Sequence, residues 1–203
     1  MKKMISMLLA LTMVLCLAAC GGNAAEPTEA PTETVAIDSA LTVLDEIWAQ
    51  FPEEEKFAVY GGDMETHGEM MSQDENYQIP NGPGAYNMAY GENLTYSLLI
   101  PAEQLANVDE AATMIHAMIA NNFTSGVVHL TEGTDVAAFT AAVHETIKNN
   151  PWRCGFPETE LIAVVGGEYV LIAFGVNDAM TPFQNHFAAA YPDAEIVYND
   201  ALA

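Results

Sequence analysis

The stretch Met64-Glu-Thr-His-Gly-Glu-Met-Met71 is the densest local collection of metal-seeking side chains in this sequence. In an extended conformation Glu65, His67 and Glu69 point to one side and offer oxygen and nitrogen donors to a borderline cation. Met64, Met70 and Met71 beside the same histidine offer soft donors suited to Cu(I) instead. The plainer reading is a polar loop of ordinary composition. The remaining histidines, His116, His129, His144 and His186, are scattered, and no two are spaced i, i+4, so no helix presents a ready metal pair. His116 lies between Met114 and Met118 on an expected helix, where the methionines read as core. His129 alternates with Val128 and Leu130 in an expected strand and faces the opposite side from them. His144 and His186 sit among polar neighbours and read as solvated.

Catalytic signatures are mostly missing: there is no G-x-S-x-G, H-E-x-x-H, Walker loop, C-x-x-C or G-x-G-x-x-G. Cys154, in "WRCGFP", has the cationic Arg153 beside it, but the usual fate of a lone cysteine is burial as a small hydrophobe. A nucleophilic role for Cys154 with a histidine is therefore the minor reading. No catalytic residue, resident metal or cofactor is assigned.

The start of the chain speaks to location. Lys2 and Lys3 precede a run from Ile5 to Ala19 that is apolar apart from Ser6 and Thr12. Its 15 residues, at about 1.5 Å rise, span roughly 22 Å, short of a hydrocarbon core of about 30 Å. This reads as a signal peptide over 1–19 and not as a permanent span. It ends in Leu17-Ala18-Ala19-Cys20, which resembles the lipobox of bacterial lipoproteins: an aliphatic residue, small residues that enter a narrow peptidase groove, and a thiol that carries diacylglycerol. Cleavage between Ala19 and Cys20 and lipidation of Cys20 are expected, with two acyl chains holding the protein stably at a membrane. Gly21, Gly22 and the Pro/Thr/Glu-rich tract beyond them make 20–36 a flexible tether. The chain is expected on the extracytoplasmic face of the cell membrane.

All 28 acidic residues lie beyond Cys20, against Lys56, Lys148 and Arg153, which leaves a formal charge of −25 on the mature chain. Such a surface repels nucleic acid and anionic lipid heads. Cys16 leaves with the signal peptide and Cys20 is lipidated, so Cys154 has no intrachain partner and no disulfide framework exists.

The residues from 37 to 203 suffice for one α+β domain with a sizeable core. Asp38 is a helix cap ahead of Leu41, Leu44, Ile47 and Trp48, which share one face. "KFAVYGG" reads as a short strand, and 63–93 as a long loop with about one helical turn. Asn107 and Glu110 form a capping-box pattern that opens a helix through "DEAATMIHAMIANN". "GVVHLTE" (126–132) is a strand, and Thr134 caps a helix striped by Val136, Phe139, Val143 and Ile147. "ELIAVV" and "EYVLIAFG" form a hairpin across Gly166-Gly167. A helix with Phe183, Phe187 and Tyr191 on one side, Pro182 in its first turn, precedes a last strand at 194–198. Residues 126–198 thus spell β-α-β-β-α-β, a ferredoxin-like core whose first and third strands are central and whose second is an edge. Such a core covers one sheet face with its own helices. The other face falls to residues 36–120 or to a second copy of the chain.

The lipobox and tether, "DEIWAQFP", "MIHAMIANNFTSGVVHLTEGTDVAAFTAAVHETIKNNPW" and "GGEYVLIAFG" together resemble small uncharacterised lipoproteins of Gram-positive anaerobes, some of which carry the label bacteriocin transport accessory protein. The resemblance implies a surface location and a βαββαβ core, and it brings no active-site residues. The leading expectation is a non-catalytic binding or accessory lipoprotein of an envelope or export system, with an envelope-protein partner and a homodimer through the sheet face as the contacts to look for. The alternatives are a module that binds a solute or metal ion through loop 63–76, and an enzyme with scattered catalytic residues. A concave pocket lined by 63–90 is the feature that favours a bound solute.

Overall fold

The computed structural model describes residues 37–73 and 81–202, and the side chains of 37–68 and 81–202. The expected signal peptide, cleavage site, lipidated Cys20 and tether lie outside the described residues. Among those described, no helix is long and apolar enough to cross a membrane.

The chain folds as a mixed α+β unit around one antiparallel sheet. Among the described residues its seven strands are β1 (Val59–Gly61), β2 (Gly84–Ala85), β3 (Val108–His116), β4 (Phe123–Leu130), β5 (Thr159–Val165), β6 (Tyr169–Gly175) and β7 (Glu195–Tyr198). The order is β1-β3-β4-β6-β5-β7, and β2 continues along the β3 edge beyond β1. The helices are α1 (Ala40–Ala49), α2 (Met64–Gln73), the single turn α3 (Leu94–Ser97), α4 (Val136–Lys148) and α5 (Asn177–Ala190).

Strand alternation sorts the core into two layers. On one face α1 and α5 cover Ala112, Met114, Phe123, Val127, Leu161 and Leu171, with Phe183 and Phe187 of α5 fully buried among them. On the other, α4 and the segment carrying Leu94, Leu98 and Ile100 cover Val128, Ile162, Val164, Val170 and Ile172. Each large apolar side chain so buried contributes about 1.5–3 kcal/mol. Both faces are thus packed by the chain itself, so the covering that sequence left open between 36–120 and a second copy is supplied in cis.

Local chemistry explains most elements. Ser39, one residue past the expected cap, accepts the Thr42 N–H at 3.1 Å to start α1. Asp135, again one residue later than expected, does the same for α4 through the Ala138 N–H at 3.0 Å. Gly166 and Gly167 both have positive φ, +63° and +86°, as the two-residue turn between β5 and β6 requires. The α5 helix starts at Asn177, so Pro182 lies inside it and not in its first turn.

Residues 108–116 form a strand, not a helix. Ala111 and Ala112 are small enough to let layers close from both sides, and Thr113, Met114 and Ile115 are buried in alternation, so sheet pairing overrides the helix preference of Ala, Glu and Met. Glu110 does not close a capping box on its own segment; its carboxylate accepts the Ala40 N–H at 3.0 Å at the start of α1. Residues 64–73 are a helix, not a loop, because Asp63 caps it: Thr66 N–H and hydroxyl donate to its carboxylate at 2.6 and 2.9 Å. Finally, the ferredoxin-like order does not hold. Strands β4, β6 and β5 lie as that topology requires, but β7 pairs with β5 instead of β4, because β3 already occupies the free edge of β4. The second strand of the unit is therefore interior, and α4 and α5 sit on opposite faces.

Candidate functional site

Two concave regions hold the polar side chains of interest. The first is a cleft of about 340 Å³ between α2, the turns before and within α3, and the end of the sheet. Its floor is Ile115, Thr124 and Phe174 from three adjacent strands, and Trp152 packs on Phe174 with ring centroids 5.2 Å apart. Its walls carry Tyr60, Tyr86 and Tyr96, of which Tyr96 is 82% exposed. Glu65 on α2 accepts from the Asn93 amide at 2.7 Å across the mouth. Burial pushes the Tyr86 phenol up to about 12, with the Glu65 and Asp63 charges adding to it against a hydrogen bond from Ser97. That hydroxyl is therefore a neutral donor and acceptor at ordinary pH. Asp63, at the base of α2, is pushed up by burial, but the hydrogen bonds from Thr66 and from the Asn87 N–H at 3.0 Å outweigh this and hold it below the usual carboxylate value. Among the described residues the cleft's lining includes an acid and no base, so its chemistry suits uncharged or cationic groups with an apolar or aromatic face.

The second region lies where α4 crosses the start of β5. Alternation along β5 puts Glu160 on the same face as Ile162 and Val164, under α4, where it is fully buried. His144, on the sheet-facing stripe of α4, meets it with Nδ1 2.6 Å from Oε1. The Tyr198 ring lies flat on the His144 ring, 4.0 Å away and 4° from parallel. Beyond β7 the chain keeps pairing with β5: Glu160 N–H donates to the Asp200 carbonyl at 3.0 Å and Leu202 N–H to the Glu158 carbonyl at 2.8 Å. This brings the Asp200 side chain to the pair, so that donor atoms of His144, Glu160 and Asp200 all lie within 4.8 Å of one another. They face a cavity of about 520 Å³ that Lys148 also borders, one turn further along α4. Burial raises the Glu160 pKa and the nearby Asp200 charge adds to it, against the lowering effect of His144 and Lys148. Its second oxygen, Oε2, has no hydrogen-bond partner.

In helix α2 a two-residue step rotates by about 200°, so Glu65 and His67 do not share a face as an extended chain would allow. His67 is buried and its Nε2 bonds the Gly61 carbonyl oxygen, while the side chain of Glu69 and residues 74–76 lie outside the described residues. His116 ends a strand with its ring stacked on Phe57 and its Nδ1 accepting the Met118 and Ile119 N–H groups at 3.1 and 3.2 Å; Met114 is core, but Met118 is 83% exposed. His129 does turn away from Val128 and Leu130, and its Nδ1 lies 2.5 Å from Asp109. His144 is buried, not solvated. His186 is half-buried against Phe51, ring centroids 4.3 Å apart, and 2.9 Å from Glu55. Cys154 is exposed, not core, in a left-handed conformation with φ +59°. Its shallow surroundings are Met118, Ile119, Asn121 and Arg153, with no histidine among the described lining residues.

Glu160 and Asp200 were missed in the sequence reading. For Glu160 a signal existed, since a carboxylate at an inward position of an otherwise apolar strand needs a partner; for Asp200 there was none. No family model, curated protein or solved structure matches the chain.

Proposed function

We propose that the protein is a lipid-anchored extracytoplasmic binding protein without catalytic activity, and that the aromatic cleft over Ile115, Thr124 and Phe174 receives its ligand. The observation that carries this reading is the cleft itself. It is a concavity of about 340 Å³ with three tyrosines and a tryptophan, built in part by the 60–65 and 86 positions. That volume lies at the lower end of small-ligand sites, about 300–1,000 Å³. Tyrosine and tryptophan offer large contact area at low entropic cost, with hydroxyl and N–H groups for orientation. Glu65 and the overall acidity select against anions. A short neutral or cationic peptide segment has this complementarity, as does the exposed part of an envelope-protein partner. The Leu17-Ala18-Ala19-Cys20 sequence supports anchoring at Cys20.

Two measurements test the two halves. Mass spectrometry of the native protein is expected to find an N-terminal Cys20 bearing diacylglycerol; an unmodified terminus removes the anchor. Tryptophan fluorescence titrations with pools of short neutral, cationic and anionic peptides are expected to respond to the first two and not the third, and to weaken in Tyr96→Ala, a substitution at an exposed position. Equal response to all three pools, or an unchanged response in that variant, removes the cleft as the binding site.

A further inference from the structure

We infer that His144, Glu160 and Asp200 form a binding site for a borderline divalent cation of the zinc class, its remaining coordination position open to the cavity beside Lys148. The acidic surface alone does not carry this, since exposed carboxylates are common on this chain. What singles out this place is the state of Glu160. It is a carboxylate with no solvent exposure, one oxygen held by His144 and the other without any partner. Burying a charged group this way is costly unless something of opposite charge completes it. A purely structural His–Glu pair leaves Oε2 unsatisfied; a cation bridging the pair and Asp200 satisfies it.

The donor set fits the chemistry. One imidazole nitrogen and two carboxylates are the mixed N/O ligands that zinc takes when a water completes a four-coordinate site. Bond lengths of about 2.0–2.2 Å in a tetrahedron place donor atoms about 3.3 Å apart. The donors here already lie within 4.8 Å of one another, so small side-chain rotations close the set. The site is also braced. Glu160 is fixed by β5, His144 by α4 and by the Tyr198 ring stacked on it, and Asp200 by the backbone hydrogen bond from Glu160 N–H. Outer support of this kind is what holds metal ligands in orientation. In charge terms Glu160 and Asp200 supply two negative charges against one from Lys148, which leaves room for a dication. Nδ1 ligates through its lone pair, so the neutral imidazole in the bound state carries its single hydrogen on Nε2, and the metal takes the place of the hydrogen bond between Nδ1 and Glu160 Oε1.

The test is calorimetric titration of Zn²⁺ into the full chain in detergent, with Co²⁺ as an optical probe whose visible absorption reports coordination geometry. The expected result is one saturable equivalent per chain and a low-symmetry, four-coordinate Co²⁺ spectrum. Asp200→Asn, at an exposed position, weakens affinity by at least about tenfold, the loss that even an outer-shell partner brings. Glu160→Gln abolishes saturable binding, and Lys148→Gln, also exposed, tightens it. Weak multi-site heat identical in wild type and Asp200→Asn is adventitious binding to the acidic surface and overturns the site, as does no heat at all. Asn150 and Trp152 border both cavities, but His144, Glu160 and Asp200 do not border the cleft, so substitutions at these three are read in the metal titration and Tyr96→Ala in the peptide one.

Discussion

Gly126 offers the sharpest test of how the sheet is covered. It lies in the middle of β4, and a Cβ built on it falls 2.5 Å from both methyl carbons of Leu98 and 3.0 Å from its Cγ. Leu98 cannot easily retreat. Its N–H bonds the Leu94 carbonyl at 3.0 Å, the Ile100 N–H bonds the same oxygen at 3.3 Å, and Leu99 between them holds φ +57°, a conformation that L residues adopt reluctantly. Gly126→Ala is therefore an overpacking change and costs about 1–3 kcal/mol. Leu98→Ala alone removes a fully buried side chain and costs about 2–5 kcal/mol. Combined, the new methyl enters space that the leucine has vacated, so the double variant is more stable than the sum of the singles by about 1–2 kcal/mol, beyond the roughly 0.5 kcal/mol scatter of independent sites. Urea denaturation of the four proteins, followed by far-UV circular dichroism, measures this coupling. Additive effects within that scatter mean that Leu98 does not lie on Gly126, and the cis covering of this face is then wrong.

Other outcomes are expected elsewhere. Asp63→Ala removes the α2 cap and the bond from Asn87 N–H, and lowers stability by about 1–2 kcal/mol in thermal or urea unfolding. Because the folded Asp63 pKa is lowered, its stabilisation is present above the unfolded value of 3.8 and is lost as pH falls through the lower folded value; stability curves of wild type and variant should therefore converge in acid. His129 has a raised pKa, chiefly through its hydrogen bond to Asp109, with burial opposing and Glu168 assisting. Its contribution is full below the unfolded value of 6.5 and is lost as pH rises through the raised folded one, and an NMR titration of Asp109→Asn is expected to show the His129 midpoint move down. Cys154, being exposed, should react with iodoacetamide in the folded protein at close to one equivalent; a thiol that labels only after unfolding contradicts its placement.

Much of the local structure was legible because it depends on neighbours in sequence. Helical stripes at Val136, Phe139, Val143 and Ile147, and at Phe183 and Phe187, face the sheet as their 3.6-residue spacing requires. The Gly166-Gly167 turn follows from its own backbone freedom. Residues 108–116 were misread because Ala, Glu and Met favour a helix weakly, by tenths of a kcal/mol each. Pairing on both edges and burial on both faces outweighs that, and neither is visible from within the segment. The same holds for β7: once β3 fills the edge of β4, the remaining partner is β5, so the fate of one wrongly read strand decided the position of another 80 residues later.

The candidate sites divide along the same line. Sequence by itself determined the acidic character of the chain, the Leu-Ala-Ala-Cys run at 17–20 and the lack of common catalytic motifs, since each is a property of composition or of short-range pattern. Only the tertiary structure decided that His144 reaches Glu160, that Asp200 joins them, and that Tyr60, Tyr86, Tyr96 and Trp152 surround one cleft. Those meetings depend on which strands pair and which face each helix covers. These are choices made by the packing of the whole core, and no segment carries them alone.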